Sequence, residues 1–286
     1  MTTELISESG MVRRSAASVA SWPGARLLPR PVFVLSAPRS GSTLLRLILD
    51  SHSRVHAPHE LPLGDIAVHV PAGVPTAALA LLGHDQTTAE HLLWDRLLHE
   101  ELGRSGCSVL VVKHPDHVLM WKRLAVCWPD ARFVFLLRHP AAIVASWSEA
   151  FGHRPSEAAA HLRQFTAALS EARRALPGVT VRYEDLVADP VAEVERVCGH
   201  IGVEFEPGML EYGRHEHGPL QLGLGDWSDM IRSGRIQPAR PIPAALPEAL
   251  IDAAADWGYA TRDGHTPTLN PKDANASVAD ACVGNG

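Results

Sequence analysis

The clearest indication of the fold lies in the residues Val32-Phe-Val-Leu-Ser-Ala-Pro-Arg-Ser-Gly-Ser-Thr-Leu-Leu45. Its first five residues form an apolar, β-branched run that is typical of a strand buried on both faces. Pro38 and Gly41 then predict a turn, and the apolar residues at 43–50 predict a helix. Because a helix start exposes unpaired N–H groups and the positive end of the helix dipole, this junction predicts an anion-binding site.

Apolar strands and helices alternate along the rest of the chain. Three further strands are predicted at 109–112, 132–137 and 179–182. Further helices are predicted at 87–101, 118–128, 141–151, 156–176, 191–201 and 244–257. This order predicts a single three-layer α/β domain, in which a parallel sheet carries helices on both faces and binds its ligand at the carboxyl ends of the strands.

The two ends of the chain differ from its middle in composition. Residues 1–30 mix Ser, Ala and Arg and contain Pro23 and Pro29, which predicts a flexible tail. Residues 263–286, rich in Thr, Pro, Asn, Asp and Gly, predict a second tail. The folded domain is therefore predicted at 31–262.

The composition is that of an ordinary globular protein with an acidic balance. The 286 residues include 26 Lys and Arg against 32 Asp and Glu, a formal net charge of −6. A nucleic-acid polymer is not an expected partner, because its binding needs a basic surface. The four cysteines lack CxxC spacing, so neither a metal site nor a disulfide framework is expected. No apolar run predicts a membrane span or a secretory leader, and a cytoplasmic location is expected.

The loop after the first predicted strand carries several donors for an anion. Ser40, Ser42 and Thr43 offer hydroxyl groups, Arg39 offers a planar guanidinium, and Gly41 allows close approach to the backbone. The loop differs from the G-x-x-x-x-G-K-[ST] motif of nucleotide triphosphatases, because Ser42 stands where that motif has lysine. Neither magnesium nor a γ-phosphate is therefore implied.

A second strand–turn–helix unit lies at 133–147. Arg138 follows the predicted strand, and Ser146 stands eight residues later in the predicted helix. Arg39, Lys113 and Arg138 thus each follow a predicted strand. Since parallel strands end at one edge of a sheet, we expect these three cations to surround one multiply charged anion.

The two units resemble the sulfotransferases that use 3′-phosphoadenosine 5′-phosphosulfate (PAPS). Residues 37–45 are similar to the family loop P-[RK]-[ST]-G-[ST]-[TS]-x-L, and the spacing from Arg138 to Ser146 is that of its 3′-phosphate element. The segment 181–190 resembles a third family segment, which reads YEDL…DP. The resemblance covers about residues 31–259 and is to a bacterial branch related to tyrosylprotein and polyketide-pathway enzymes of secondary metabolism. It implies a P-loop-like fold and conversion of PAPS to adenosine 3′,5′-bisphosphate (PAP) without metal.

The resemblance also implies a set of donor-binding residues. Those expected to hold the 5′-phosphosulfate are Arg39, Ser40, Gly41, Ser42 and Thr43. Arg138 and Ser146 would bind the 3′-phosphate, and Tyr183 would contact the adenine. Ser233 would reach the cofactor phosphates from the glycine-rich stretch 223–236, which is similar to a cofactor-covering loop.

Sulfuryl transfer needs a base for the acceptor and a cation for the leaving oxygen. Glu60 stands 21 residues after the loop arginine, as a glutamate does in the tyrosylprotein enzymes, and is the leading base. His59 and His56 are rival bases, because histidine titrates near neutrality. By the resemblance, Lys113 would reach the leaving oxygen. The aryl and steroid enzymes have Lys-Thr-His here with histidine as the base, and Pro115 replaces that histidine.

Two other functions stay open at this point. One is a P-loop nucleotide kinase or another phosphotransferase, which the missing lysine of the triphosphatase motif opposes. The other is a non-catalytic nucleotide-binding module, which the presence of both Glu60 and Lys113 opposes. For a sulfotransferase, the expected acceptor is a hydroxyl, less readily an amine, of a small molecule, sugar, lipid or carrier-linked chain. Loops at 61–86, 151–161 and 210–227 are expected to bind it.

Overall fold

A computed structural model describes residues 26–218 and 228–259. The strands are β1 Val32–Ser36, β2 Val55–His56, β3 Val109–Lys113, β4 Arg132–Leu137 and β5 Gly178–Arg182. They form one sheet in the order β2–β3–β1–β4–β5, and each neighbouring pair is parallel. The predicted parallel sheet is confirmed, and the two-residue β2 adds an edge strand that is too short to show a periodic pattern.

Helices connect and cover the strands. The α-helices of the described residues are α1 Ser42–Asp50, α2 Val74–Leu81, α3 Gln86–Ser105, α4 Trp121–Cys127, α5 Pro140–Phe151, α6 Pro155–Ala175, α7 Tyr183–Ala188, α8 Pro190–Ile201, α9 Asp229–Arg232 and α10 Ile251–Asp256. The 3₁₀ segments are Leu63–Asp65, Pro115–Met120, Pro207–Arg214 and Glu248–Leu250. Within the described ranges, no helix is long and apolar enough to cross a membrane.

The strands send alternate side chains into two cores, one on each face of the sheet. On β1, Phe33 and Leu35 join a core with residues of α3 and α6. Val32 and Val34 join a second core with residues of α1 and α8. Since both faces are buried, β1 is apolar throughout, which explains its unbroken run in the sequence. The predicted three-layer α/β domain is confirmed.

The helix predicted at 244–257 is wrong in its first part. A 3₁₀ turn at Glu248–Leu250 follows Pro247, and only Ile251–Asp256 is α-helical. Proline lacks the N–H that a helix interior needs and disfavours the helical conformation of the preceding residue. The predicted helix at 118–128 also begins with a 3₁₀ segment, Pro115–Met120.

The first described residues pack against the domain, unlike the tail predicted for 1–30. Leu28 is buried, and the Asp95 carboxylate accepts hydrogen bonds from the backbone N–H groups of Leu27 at 2.8 Å and Leu28 at 3.2 Å. Residues 1–25 and 260–286 lie outside the described residues. The predicted boundaries there stay predictions.

The strand order sets the carboxyl ends of β3, β1, β4 and β5 side by side. Lys113 ends β3, the loop 37–41 follows β1, Arg138 follows β4 and Tyr183 follows β5. Residues that are far apart in the chain therefore meet along one edge of the sheet, as expected for ligand sites of open parallel sheets.

Candidate active site

The loop between β1 and α1 is a tight turn that ends in an uncapped helix start. Arg39 has φ +64° and Gly41 has φ +89°, the left-handed region that costs a non-glycine residue roughly 1–2 kcal/mol. Gly41 is the N-cap of α1 and offers no side chain to the first amides of the helix. Within the described residues, the buried Ser40 hydroxyl has no hydrogen-bond partner. Buried hydroxyls without a partner are rare in folded proteins. The Ser40 hydroxyl and the first amides of α1 together suit an anionic ligand.

Tyr183 joins the two predicted phosphate motifs. A Cβ built on Gly41 would overlap Cδ2 of Tyr183 and lie 2.6 Å from its Cε2. The Arg138 guanidinium lies 4.4 Å from the centre of the same ring. Arg138 Nη1 also donates to the Arg39 carbonyl at 2.9 Å, and Arg39 Nε donates to Ser146 Oγ at 3.2 Å. The loop, the end of β4 and α5 therefore form one connected unit.

Arg138 keeps a donor for a ligand. Its Nε is buried and has no hydrogen-bond partner in the described part of the chain. Burial lowers the pKa of Arg138, while Tyr183 and Glu184 oppose that effect. A guanidinium stays charged near neutral pH all the same. Arg138 is thus a desolvated cation with an unused N–H, which favours a phosphate-like partner.

Glu60 and Lys113 meet beside the loop. Lys113 ends β3, the neighbour of β1, and Glu60 follows β2, the neighbour of β3. Lys113 is only 3% exposed and Glu60 only 8% exposed. The Lys113 ammonium forms an ion pair with the Glu60 carboxylate and lies 3.4 Å from Thr43 Oγ1. A carboxylate and an ammonium are therefore held together next to the loop 37–41, which we call the anion loop after its predicted ligand.

One cavity of about 960 Å³ joins these groups to an aromatic wall. The wall consists of Trp147 and Phe151 on α5 and His161 and Phe165 on α6. The rings of Trp147 and His161 are stacked with centroids 4.6 Å apart, and those of Trp147 and Phe151 are 4.5 Å apart. The cavity therefore has a polar end at the strand edge and an apolar end between two helices.

The lining of the cavity is cationic although the chain is acidic. Five basic side chains face three carboxylates, namely Arg39, Lys113, Arg138, Arg235 and Arg240 against Glu60, Asp116 and Glu149. At the rim, Arg240 Nη1 pairs with Glu149 Oε2 at 2.7 Å. An anion is therefore attracted by local charge, which the whole-chain balance does not reveal.

Most of the residues predicted for the site line this cavity. They are Arg39, Gly41, Ser42, Thr43, Glu60, Lys113, Arg138, Ser146 and Tyr183. Ser40 is buried within the loop. Among the described residues, no group of three or more His, Cys, Asp or Glu side chains could hold a metal ion.

Two predicted site residues lie elsewhere. His59 is exposed and outside the cavity lining, with Nδ1 3.0 Å from the Glu60 carbonyl. Ser233 is also exposed, donates to the Met230 carbonyl at 2.6 Å and lines a separate groove beside Gly213. The structure does not bring either side chain to the other candidates. Part of the stretch 223–236 lies outside the described residues.

The three predicted acceptor loops differ in what they contribute to the cavity lining. None of residues 61–86 lines the cavity, because the chain forms the exposed helix α2 and the start of α3 there. The segment 151–161 contributes Phe151 and His161, and 210–227 contributes Tyr212 from its described part. Sequence reasoning missed the aromatic wall. Its signal is a pair of i, i+4 spacings on consecutive helices, which place both rings of each pair on one helical face.

A P-loop-like α/β protein with a cationic anion site is the class that this fold and cavity define. The sequence profile of the sulfotransferase family matches residues 31–207. The chain belongs to that family. The resemblance that the loop and helix motifs indicated is confirmed.

Similar proteins share parts of this chain. Nodulation protein NoeE from Sinorhizobium fredii (strain NBRC 101917 / NGR234) is 29% identical over an alignment of 221 residues, and the match covers 65% of this chain and 52% of that protein. The match therefore spans about half the length of that relative. Among solved structures, a sulfotransferase domain from the curacin biosynthetic pathway superposes with a TM-score of 0.58, at 22% identity, and covers 82% of this chain and 99% of the domain. A sulfotransferase domain from the Synechococcus PCC 7002 olefin synthase gives a TM-score of 0.59 at 22% identity, covering 81% and 95%. Both share the fold.

Proposed function

We propose that the protein transfers a sulfuryl group from PAPS to a hydroxyl group of a small-molecule or carrier-linked acceptor. The observation that carries the proposal is the buried pair of Glu60 and Lys113 beside the anion loop. General-base catalysis needs the carboxylate, and stabilisation of the charge on a leaving oxygen needs the ammonium. Membership in the sulfotransferase family supports the same reaction.

The donor would bind along the strand edge. The loop 39–43 would hold the 5′-phosphosulfate with its hydroxyls and the first amides of α1. Arg138 and Ser146 would hold the 3′-phosphate, for which the unused Arg138 Nε supplies a donor. Tyr183, against Gly41, would contact the adenine. This arrangement gives each anionic group of the donor at least one cation or helix start.

The reaction itself would be an in-line displacement at sulfur. The acceptor oxygen forms a bond to sulfur while the bond from sulfur to the bridging oxygen of the donor breaks. Glu60 takes the proton of the acceptor hydroxyl, and the bridging oxygen leaves on PAP with its negative charge stabilised by Lys113. Because Lys113 pairs with Glu60 before the donor binds, donor binding draws the ammonium away and leaves the carboxylate to the acceptor.

The aromatic wall would bind the acceptor. Trp147, Phe151 and Phe165 offer apolar surface, which favours an acceptor with a hydrophobic body and a hydroxyl that reaches Glu60. The two structures that share the fold come from a biosynthetic pathway and an olefin synthase, which supports a role in secondary metabolism.

Calorimetry with PAP and with ATP tests the donor class. We expect PAP to bind more tightly than ATP, because the site offers cations for a 3′-phosphate and lacks the triphosphatase lysine. Tighter binding of ATP would overturn the proposal in favour of a phosphotransferase. Transfer of label from PAPS to a panel of phenols, sugars, lipids and carrier-bound acyl chains would then identify the acceptor.

A further inference from the structure

Two charged residues of α1 hold one residue of the segment that carries Glu60. Arg46 Nη1 donates to the Ala57 carbonyl at 2.7 Å, and Asp50 Oδ1 accepts from the Ala57 N–H at 2.7 Å. Arg46 and Asp50 are one helical turn apart, with Nη1 and Oδ2 separated by 4.0 Å. Arg46 and Ala57 are buried, and the Asp50 side chain is 11% exposed. Both backbone polar groups of Ala57 are thus bound by one face of one helix.

The backbone between Ala57 and Glu60 is restricted, so the orientation of Ala57 constrains the position of Glu60. Ala57 precedes Pro58, which restricts Ala57 to extended conformations, and the ring of Pro58 fixes its own φ. Only His59 separates Pro58 from Glu60. Few backbone torsions are therefore free between the residue that α1 holds and the carboxylate in the cavity.

Charge also connects α1 to the site. Burial lowers the pKa of Arg46, and the carboxylates of Asp50 and Glu60 oppose that effect. The Arg46 guanidinium therefore acts on the Glu60 carboxylate from the helix side, while Lys113 pairs with it from the strand side. A buried ion pair in a helix of leucines is weak evidence for stability alone, because desolvation offsets much of the attraction.

We propose that Arg46 and Asp50 are positioning residues that set the place of the Glu60 carboxylate relative to the anion loop and Lys113. The inference rests on the proposed function, in which Glu60 is the base. Neither Arg46 nor Asp50 lines the cavity, so they act on the reaction through the residues that they hold, and the 57–60 segment is the one that carries Glu60.

Asp50→Ala and Asp50→Asn test this role together. The alanine variant removes the acceptor for the Ala57 N–H, and we expect kcat to fall roughly 10–100-fold, as misplacement of a catalytic group by about 1 Å does. The KM for PAPS and the Kd for PAP should stay within about twofold of wild type, since the loop and Arg138 are intact. Asp50→Asn keeps an amide oxygen for the Ala57 N–H and should restore most of kcat.

Asp95→Ala is the matched control. Asp95 is also a buried carboxylate that accepts backbone N–H bonds, from Leu27 and Leu28, but it lies outside the cavity lining. We expect it to lower Tm and leave kcat unchanged. Equal losses of kcat in Asp50→Ala and Asp95→Ala would overturn a positioning role. A kcat within twofold of wild type in a folded Asp50→Ala would overturn it as well. If Asp50→Ala does not fold, Arg46→Met, which removes the donor to the Ala57 carbonyl, is measured in its place.

Hydrogen exchange separates this inference from the proposed function. In Asp50→Ala, the amides of a peptide covering 57–63 should exchange faster than in wild type, and those of the loop 37–41 should not. Unchanged exchange at 57–63 would overturn the inference whatever the activity. If wild type transfers no sulfuryl group to any acceptor, the proposed function fails, while the exchange result still decides whether α1 orders the segment.

Discussion

The ring of Tyr183 occupies the space that a side chain on residue 41 would need. A Cβ on Gly41 would overlap Cδ2 of Tyr183, and φ at Gly41 is +89°. Two independent constraints therefore require glycine here, one of backbone conformation and one of packing. The contact ties the end of β5 to the anion loop and sets the shape of the proposed nucleotide site.

Gly41→Ala should weaken PAP binding at least tenfold. The methyl group must displace the Tyr183 ring, and an alanine at this φ costs roughly 1–2 kcal/mol. Calorimetry with PAP measures the loss. Gly103→Ala is the control, because a Cβ on that residue of α3 meets open space. It should stabilise the protein by about 0.5–1 kcal/mol and leave PAP affinity unchanged. Wild-type affinity in Gly41→Ala would contradict the packing described for the loop.

Glu60→Gln should separate binding from chemistry. Without a base, kcat should fall by roughly 10²–10⁴-fold. PAP affinity should equal or exceed that of wild type, because no carboxylate then competes for Lys113. Steady-state kinetics and calorimetry measure the two effects. Glu90→Gln changes a buried carboxylate paired with Arg123 outside the cavity lining, and kcat should be unaffected. Full turnover in Glu60→Gln would rule out its role as base.

Arg138→Met should reduce discrimination for the 3′-phosphate. A hydrogen bond to a charged group contributes about 1.5–3 kcal/mol, so PAP affinity should fall by roughly 10–150-fold. The affinity for adenosine 5′-monophosphate, which lacks the 3′-phosphate, should change much less. Ser146→Ala removes a single hydroxyl and should give a smaller loss in the same direction. Equal losses for the two nucleotides would show that Arg138 only supports the loop through the Arg39 carbonyl.

His56 should make stability depend on pH. The Asp50 carboxylate, 3.7 Å from His56 Nδ1, raises the pKa of His56, burial opposes that shift, and Glu101 adds to it. Burial raises the pKa of the Asp50 carboxyl, but the hydrogen bond with His217, the nearby His56, the Ala57 N–H and the charge of Arg46 together lower it. The His56 contribution is therefore fully present below its ordinary pKa of about 6.5 and is lost as pH rises through its raised value. The Asp50 contribution is present above the ordinary range of Asp and is lost in acid.

The measurement for this prediction is the Tm of wild type and of His56→Gln. The stabilisation removed is at most about 1 kcal/mol, which corresponds to roughly 2–4 °C. The difference between the two proteins should be largest near about pH 5.5 and should shrink towards about pH 9. Glu101→Gln, which removes the negative charge 2.8 Å from His56 Nε2 and keeps an acceptor oxygen, should reduce that difference. A difference that grows with pH would contradict the charge arrangement.

Local sequence patterns predicted most of the strands and many of the helices. Runs of four to six mostly apolar residues predicted β1, β3, β4 and β5. The apolar character of β1, β3 and β4 reflects burial on both faces, whereas β5 at the sheet edge is only partly buried. The same reasoning failed at Pro247, where a helix was predicted across a residue that prevents it. The exposed helix α2 was missed because it buries none of its residues and has no amphipathic pattern to detect.

The sequence predicted an anion site from a strand, the Gly41 turn and a helix start, since those features act between neighbouring residues. It also placed Arg138 and Lys113 at strand ends. The packing of distant segments is what places Glu60, and not the exposed His59, against Lys113 in the cavity. The order β2–β3–β1–β4–β5 brings the segment after β2 next to the end of β3, and the path of that segment buries Glu60 and leaves the adjacent His59 exposed. Such contacts depend on how distant segments pack, and no local periodicity in the chain encodes them.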